Sequence, residues 1–429
     1  MTRFVFGSGI ALVNNWKLIK KYFNPQYCVD NNSSRWGVEE NTKLMCMGPE
    51  KMITYDNPKV LITVGDPYAI ESISRQLEGY GVDYLVMTDL LSEWGEQEPL
   101  PMHLKPMLTD KNKKVILFNT PMHDNIGDYL IGVSEMKFLK ERFKDYSIYE
   151  VTDIEYLWFG KILKEYINSN DIILITGGGF LGSLWLYNGE NNVRQIINDY
   201  RDNKIIILPQ TIYFEDNERG KIEYNKTLKA YNRAKNLTVI FREEQSFRLI
   251  DKEKNRNFKI DLIPDMALFY DANIDDTGRQ NMVLVCLRAD KESVFSDADR
   301  EYIMDTLSAQ GYKIKEISMH SKRFPGLENR MDMVNDKLNE ISKAKLVITD
   351  TLHCMVSATI TGTPCIAFDN LSGKVKNVYK WIESLGYVRF CEDVSQLNQL
   401  LNDNIKPASY VLNNKDMYLD KLEGIIRHE

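Results

Sequence analysis

The sequence predicts an α/β protein of three Rossmann-like units, each built on a parallel sheet, and three observations carry that prediction. Its apolar runs, among them KKVILFN, DIILITGGG, NKIIILPQT and LVITD, are short, continuous and β-branched rather than alternating. Such runs belong to strands buried on both faces, which is the environment of parallel sheets. Amphipathic segments of helical length separate them, so strand and helix alternate. Finally, 429 residues exceed what one ordinary core accommodates, and the strand pattern restarts twice along the chain.

The first unit spans residues 1–105. RFVFGSG reads as a strand and turn, WKLIKKYF as a helix, YCVDNN as a second strand, and KVLITVGD with AIESISRQLEGYG as a further strand and helix. The linker EQEPLPMHLKPML follows, and its prolines disfavour regular structure. A second unit, residues 112–275, contains KKVILFN, DIILITGGG, NKIIILPQT, LTVIFRE and KIDLIPDMA as strands. After the polar stretch YDANIDDTGRQN, a third unit over 280–429 contains MVLVCLRAD, YKIKEISM, LVITD and PCIAFDN and closes with a C-terminal helix.

Composition removes several function classes. The formal charge of −7 leaves no basic excess to neutralise phosphates, which excludes a nucleic-acid partner. The six cysteines are scattered without a CxxC pair or metal-ligand spacing, as expected of reduced core residues in a cytoplasmic protein with no metal site. MTRFVFGSGIA is apolar for too few residues to be a signal peptide or a membrane span. A lipid-linked substrate would therefore be met peripherally, from the inner face of the membrane.

Parallel α/β sheets bind ligands at the carboxyl ends of their strands. Asn125-Ile126-Gly127-Asp128 follows the KKVILFN strand and opens a helix, where Asp128 can cap that helix or act as a base. Gly177-Gly178-Gly179 follows DIILIT directly and frees backbone amides to line an anion or a sugar. Each loop alone is equally consistent with a tight turn. Arg242 after LTVIF, Arg288 after MVLVCL and Lys374 after PCIAFDN place three cations at strand ends in an acidic chain, which suggests a small-anion pocket. Taken by itself, Arg242 reads better as a partner for Glu243 or Glu244. His353, between the strand LVITD and the apolar helix MVSATITG, suits either a hydrogen-bonded core group or a general acid–base. The residues alone leave both roles open.

The motifs NIGDYLI, GGGFLG, LPQT, FREEQS, PDMAL, CLRAD and SKAKLVITDTLHCMVSATITGTPCIAFDN occur in an order that resembles the polysaccharide pyruvyl transferase family, over roughly residues 113–400. The resemblance implies a GT-B-like pair of Rossmann-like lobes facing a cleft. It implies transfer of the pyruvyl group of phosphoenolpyruvate to two hydroxyls of a sugar, giving a cyclic ketal and phosphate, as in exopolysaccharide or capsule biosynthesis. It makes His353 the proton donor to the donor's methylene carbon, and Arg242, Arg288 and Lys374 the holders of the donor's anionic groups. Asp128 is assigned a catalytic place facing the acceptor, with Asn125, His123, Gly178, Gly179 and Gln210 as further substrate contacts. No cofactor and no metal are required.

One departure qualifies the resemblance. The family commonly reads Arg-Leu-His-Gly where this chain has Thr351-Leu352-His353-Cys354, which removes one cation from the donor pocket. A GT-B glycosyltransferase using a nucleotide sugar, or a non-catalytic glycan-assembly protein, are the alternative readings. In the first unit, Gly7-Ser8-Gly9 with Asp30 imitates a dinucleotide fingerprint, but Leu12 holds the third glycine position. A docking or structural role fits this unit better than a nicotinamide cofactor.

Overall fold

The computed structural model describes residues 1–272, 278–290, 292–321, 326–403 and 405–428. The expected unit limits at residues 275 and 429, and part of the polar stretch between the second and third units, lie outside the described residues. Eighteen strands occur among them. The first six are Thr2–Phe6 (β1), Tyr27–Val29 (β2), Gly37–Val38 (β3), Met45–Met47 (β4), Pro58–Ile62 (β5) and Asp83–Val86 (β6). Lys114–Thr120 (β7), Ser147–Thr152 (β8), Ile172–Ile175 (β9), Gly178–Gly182 (β10), Lys204–Tyr213 (β11), Asn236–Phe241 (β12) and Lys259–Leu262 (β13) follow. The last five are Met282–Cys286 (β14), Lys313–Glu316 (β15), Leu346–Thr349 (β16), Cys365–Ala367 (β17) and Val388–Phe390 (β18).

They form three sheets, of order β3-β4-β2-β1-β5-β6, β13-β12-β11-β9-β7-β8 with β10 beside β11, and β15-β14-β16-β17-β18. Every pairing is parallel except that of the two-residue edge strand β3 with β4. The central strands β7, β9 and β16 are buried at every position, as their unbroken apolar runs require. Relabelled in chain order, with β10 left out, the second sheet runs 2-1-3-4-5-6 and the third 2-1-3-4-5, the same doubly wound arrangement. Without its edge strand β3, the first sheet has the 3-2-1-4-5 order instead.

The second and third sheets are two lobes that share a core. One hydrophobic cluster runs from Leu117 and Leu130 of the first lobe to Leu352, Met355 and Val356 of the second. The helix Ile126–Arg142 lies in this seam, which is why it is buried nearly all round instead of carrying one apolar stripe. Arg330 of the second lobe forms a buried two-pronged ion pair with Glu150 of the first. The helix Lys415–Arg427, assigned by the sequence to the second lobe, lies against the first. Its Arg427 stacks 4.6 Å over the Phe143 ring and pairs with Asp145, and Arg142 pairs with Asp420.

The linker before β7 is fastened down rather than free: Leu104 and Met107 are buried in the core of the first lobe. The first unit is fastened as well. Its helix Met87–Gly95 runs against Asp153–Leu163 so closely that a Cβ on Gly95 would come within 2.0 Å of the Trp158 carbonyl oxygen. Only glycine fits that contact.

Candidate active site between the lobes

In a doubly wound sheet the ligand crevice opens where neighbouring strands send their connections to opposite faces. In the first lobe this point lies between β7 and β9, whose ends carry the Asn125–Asp128 turn and Gly177–Gly179. In the second lobe it lies between β14 and β16, whose ends carry Arg288 and His353. The two switch points face each other, and most of the residues singled out from the sequence converge there.

Asn125, not Asp128, caps the helix Ile126–Arg142, its side chain accepting from the Gly127 amide at 3.0 Å. Asp128 is thereby released to point into the cleft. Its Oδ1 lies 3.5 Å from His353 Nδ1 and its Oδ2 3.5 Å from His123 Nε2, so one carboxylate stands between two imidazoles. Gly127 makes the approach of His353 possible: a Cβ there would sit 2.2 Å from the imidazole's own Cβ and Nδ1. Burial works to raise the Asp128 carboxyl, but His353, His123, Arg242 and Lys374 outweigh it and hold it below its ordinary value. Burial also pushes the His353 imidazole down, against the pull of Asp128 and Asp265. Its Nε2 is buried and has no hydrogen-bond partner.

Arg242 is fully buried and does not meet Glu243 or Glu244. Its Nη1 donates to Asp265 at 2.6 Å and its Nε to the Thr211 hydroxyl at 2.8 Å. Glu243 instead caps the following helix through Ser246, and Glu244 pairs with Arg248. The remaining nitrogen, Nη2, aims at the glycine turn: a Cβ on Gly179 would lie 2.6 Å from it and 3.7 Å from Lys374 Nζ. Gly178 takes φ of +144°, which favours glycine. Gln210 donates to the Thr176 carbonyl at 2.8 Å, and its buried Oε1 lacks a partner. Beneath the turn, Glu135 accepts from the Gly177 amide at 2.7 Å and the Thr176 hydroxyl at 2.6 Å, and burial pushes its carboxyl up to about 8.

Arg288 and Lys374, which the sequence presents as surplus positive charge, share one buried carboxylate. Lys374 Nζ donates to both oxygens of Glu292 at 2.7 and 2.9 Å, and Arg288 Nη2 reaches Glu292 at 2.5 Å and Asp290 at 2.5 Å. The Ser372 hydroxyl adds a third donor to Glu292 at 3.2 Å. Burial tends to raise Glu292, yet Lys374 and Arg288 hold it below its ordinary value. Burial lowers Lys374 despite Glu292. Glu292 was missed by sequence reasoning, and so was Asp265. Both sit one loop beyond a strand end, and the signal available was an acidic residue within four of a strand-end arginine, or second in the motif PDMAL.

A sequence profile described as polysaccharide pyruvyl transferase matches residues 125–372, which takes in the Asn125–Asp128 turn, Arg242, Arg288 and His353. The chain belongs to that family. General stress protein 30 of Bacillus subtilis is 36% identical over 308 residues, covering 69% of this chain and 86% of that protein. Pyruvyl transferase 1 of Schizosaccharomyces pombe is 26% identical over 290 residues, covering 63% of this chain and 70% of that one. Among solved structures, the UDP-GlcNAc 2-epimerase of Methanocaldococcus jannaschii aligns at 13% identity with a TM-score of 0.43, over 74% of this chain and 99% of that one.

As a family member this polysaccharide pyruvyl transferase is an enzyme with a sugar acceptor, and its lobes have the GT-B-like arrangement of two Rossmann-like sheets facing a cleft. Among the described residues, no helix is long and apolar enough to cross a membrane, and no three metal-ligating side chains cluster. The first unit lies outside the matched span, and its own switch point, between β1 and β5, is filled. The Tyr187 ring occupies the space above Gly65, 2.0 Å from where a Cβ would stand, and its hydroxyl accepts from Asn15 Nδ2 at 2.9 Å.

Proposed function

We propose that this transferase takes its pyruvyl group from phosphoenolpyruvate and closes it as a cyclic ketal on two hydroxyls of one acceptor sugar, releasing phosphate. The observation that carries the reading is the buried, unpartnered His353 Nε2, held beside Asp128 in the chamber reached by Arg242 and Lys374. The donor's anionic groups lie against Arg242 Nη2, Lys374 and Arg288, with the amides of Gly178 and Gly179 and the Gln210 side chain as further contacts. Their negative charge, brought next to His353, offsets the burial that lowers its proton affinity and draws a proton onto the imidazole.

That proton passes from His353 to the methylene carbon, which becomes the methyl group, and positive charge develops on the adjacent carbon. The first sugar hydroxyl bonds to that carbon and its proton returns to His353, oriented by Asp128. The carbon–oxygen bond to phosphate then breaks, the second hydroxyl bonds in its place, and its proton leaves with the phosphate. Asn125 and His123, at the mouth of the cleft, face the acceptor. The scheme uses no metal and no organic cofactor. A lipid-linked acceptor would reach the cleft from the cytosolic side.

The test is phosphate release from phosphoenolpyruvate in deuterated water, with and without a panel of acceptor sugars, followed by NMR of the product. The expected result is acceptor-dependent release and a ketal methyl group carrying one deuterium. Consumption of a nucleotide sugar, with phosphoenolpyruvate left intact by every acceptor, overturns the proposal.

A further inference from the structure

The cations assigned to the donor are not waiting empty. Glu292 reaches them from the loop after β14, and its two oxygens receive Lys374 Nζ twice, Arg288 Nη2 and the Ser372 hydroxyl. It is 2% exposed, so water does not weaken these contacts. A carboxylate held by one lysine, one arginine and one hydroxyl from two loops is bound as an anionic ligand would be bound. The pocket also contains more donors than Glu292 can use. Asn370, which accepts from the same Ser372 hydroxyl at 3.1 Å, has its Nδ2 buried without a partner.

We infer that Glu292 is an exchangeable internal ligand of the donor site, replaced by the donor's phosphate and returning when phosphate leaves. The inference rests on the reading of the donor as a phosphate ester. A phosphate monoester brings about −1.5 to −2 charge at neutral pH and three acceptor oxygens, against one charge and two oxygens for the carboxylate. It therefore gains Asn370 Nδ2 as well as a stronger hold on Arg288 and Lys374. A monocarboxylate such as pyruvate offers nothing that Glu292 does not already supply. Glu292 would thus select donors by charge, and its return would help expel the product phosphate.

The experiment is calorimetric titration of the full-length protein with inorganic phosphate, together with phosphate inhibition of turnover. Glu292→Gln removes the competing charge and should bind phosphate at least tenfold tighter, with product inhibition stronger by a similar factor. Adding Lys374→Ala to that variant should abolish the gain. Glu292→Asp keeps the charge but shortens its reach, covers the case of a poorly folded Gln variant, and should bind phosphate tighter than wild type by a smaller factor. Unchanged or weaker phosphate binding in the folded variants overturns the inference and leaves Glu292 a counter-ion. The two readings separate cleanly. Pyruvyl transfer by wild type with phosphate affinity unmoved in the variants sinks only the exchange. Tighter phosphate binding without any pyruvyl transfer sinks only the choice of donor.

Discussion

The molecule has three topological switch points, and two of them differ from the third in what fills them. Between the lobes, the ends of β7, β9, β14 and β16 enclose buried polar atoms with no protein partner, at His353 Nε2, Gln210 Oε1 and Asp350 Oδ2. In the first unit the equivalent crevice between β1 and β5 is closed by Tyr187, while the Asp30 that completes the fingerprint accepts from the Ser8 amide and hydroxyl at 3.0 and 2.7 Å. Other such atoms lie elsewhere, Asn14 Nδ2 of the first unit among them, but buried polar groups are normally satisfied, so three at facing strand ends mark a place where a ligand can complete the structure. The same fold element is thus left open in one place and plugged in the other, and local filling decides which.

The largest effect expected from disturbing the open pair is at Arg242. Arg242→Ala strands the buried Asp265 carboxylate and should cost about 3–5 kcal/mol of stability, measurable by denaturant unfolding. Removing both charges, as Arg242→Ala with Asp265→Ala, should recover part of that loss without recovering donor binding. If the single variant keeps full stability and only the Michaelis constant rises, the arginine is a pure ligand contact and the pairing with Asp265 is idle.

Next is His353. His353→Gln keeps a hydrogen-bonding group of similar reach but cannot cycle a proton, so turnover should fall roughly a hundredfold or more while the melting temperature holds. A pH profile sharpens this. Because burial holds the free site's imidazole below its ordinary value, kcat/KM should fall with rising pH through a lower midpoint than kcat, where bound donor charge raises it. Coincident midpoints would argue that the donor's charge never meets the histidine.

How far the sequence reached follows the same contrast. Continuous β-branched runs mark the buried strands, and glycine, arginine and histidine at their ends mark the switch points, because both signals are local in the chain. What could not be read is pairing across the fold. Glu292 between Arg288 and Lys374, Asp265 beneath Arg242, and Tyr187 in the crevice of Gly65 are contacts set by packing between distant segments. The cap of the first cleft helix was also misplaced: the sequence reading offered Asp128, inside the first turn, where Asn125 before it is the cap. The linker's prolines read as disfavouring regular structure, yet a short 3-10 turn forms over Lys105–Leu108, and that reading hid Leu104 and Met107, whose burial ties the first unit to the lobe behind it.

Tyr187 tests the filled switch point. Tyr187→Ala opens the crevice and removes its contacts with Gly65 and Asn15. Its ring is partly exposed, so the loss should fall below the range for a fully buried aromatic, at about 2 kcal/mol, with turnover of the folded protein unchanged. Wild type should show no thermal shift with a nicotinamide dinucleotide. Ligand at a hundredfold excess over its dissociation constant would add about 2.7 kcal/mol, so an occupied site could not be overlooked, and such a shift would break the comparison.

The smallest expected effect is one of slope, at Glu135 beneath the glycine turn. Burial raises this carboxyl to about 8 from an ordinary value of 4.5, so between those values the folded state binds a proton that the unfolded state has lost. The sign follows directly: this contribution to stability is full below pH 4.5 and is lost as pH rises through about 8. Glu135→Gln is neutral throughout and can still accept from the Gly177 amide, so it should match wild type near pH 5 and exceed it in melting temperature near pH 9. The glycine turn should respond in parallel, since an ionised Glu135, buried near the Asp265 and Glu150 carboxylates, would pull on Thr176 and Gly177, the backbone leading to the turn that faces Arg242. A stability difference between the two proteins that stays constant from pH 5 to pH 9 would place the proton elsewhere and leave Glu135 a charged brace of the turn.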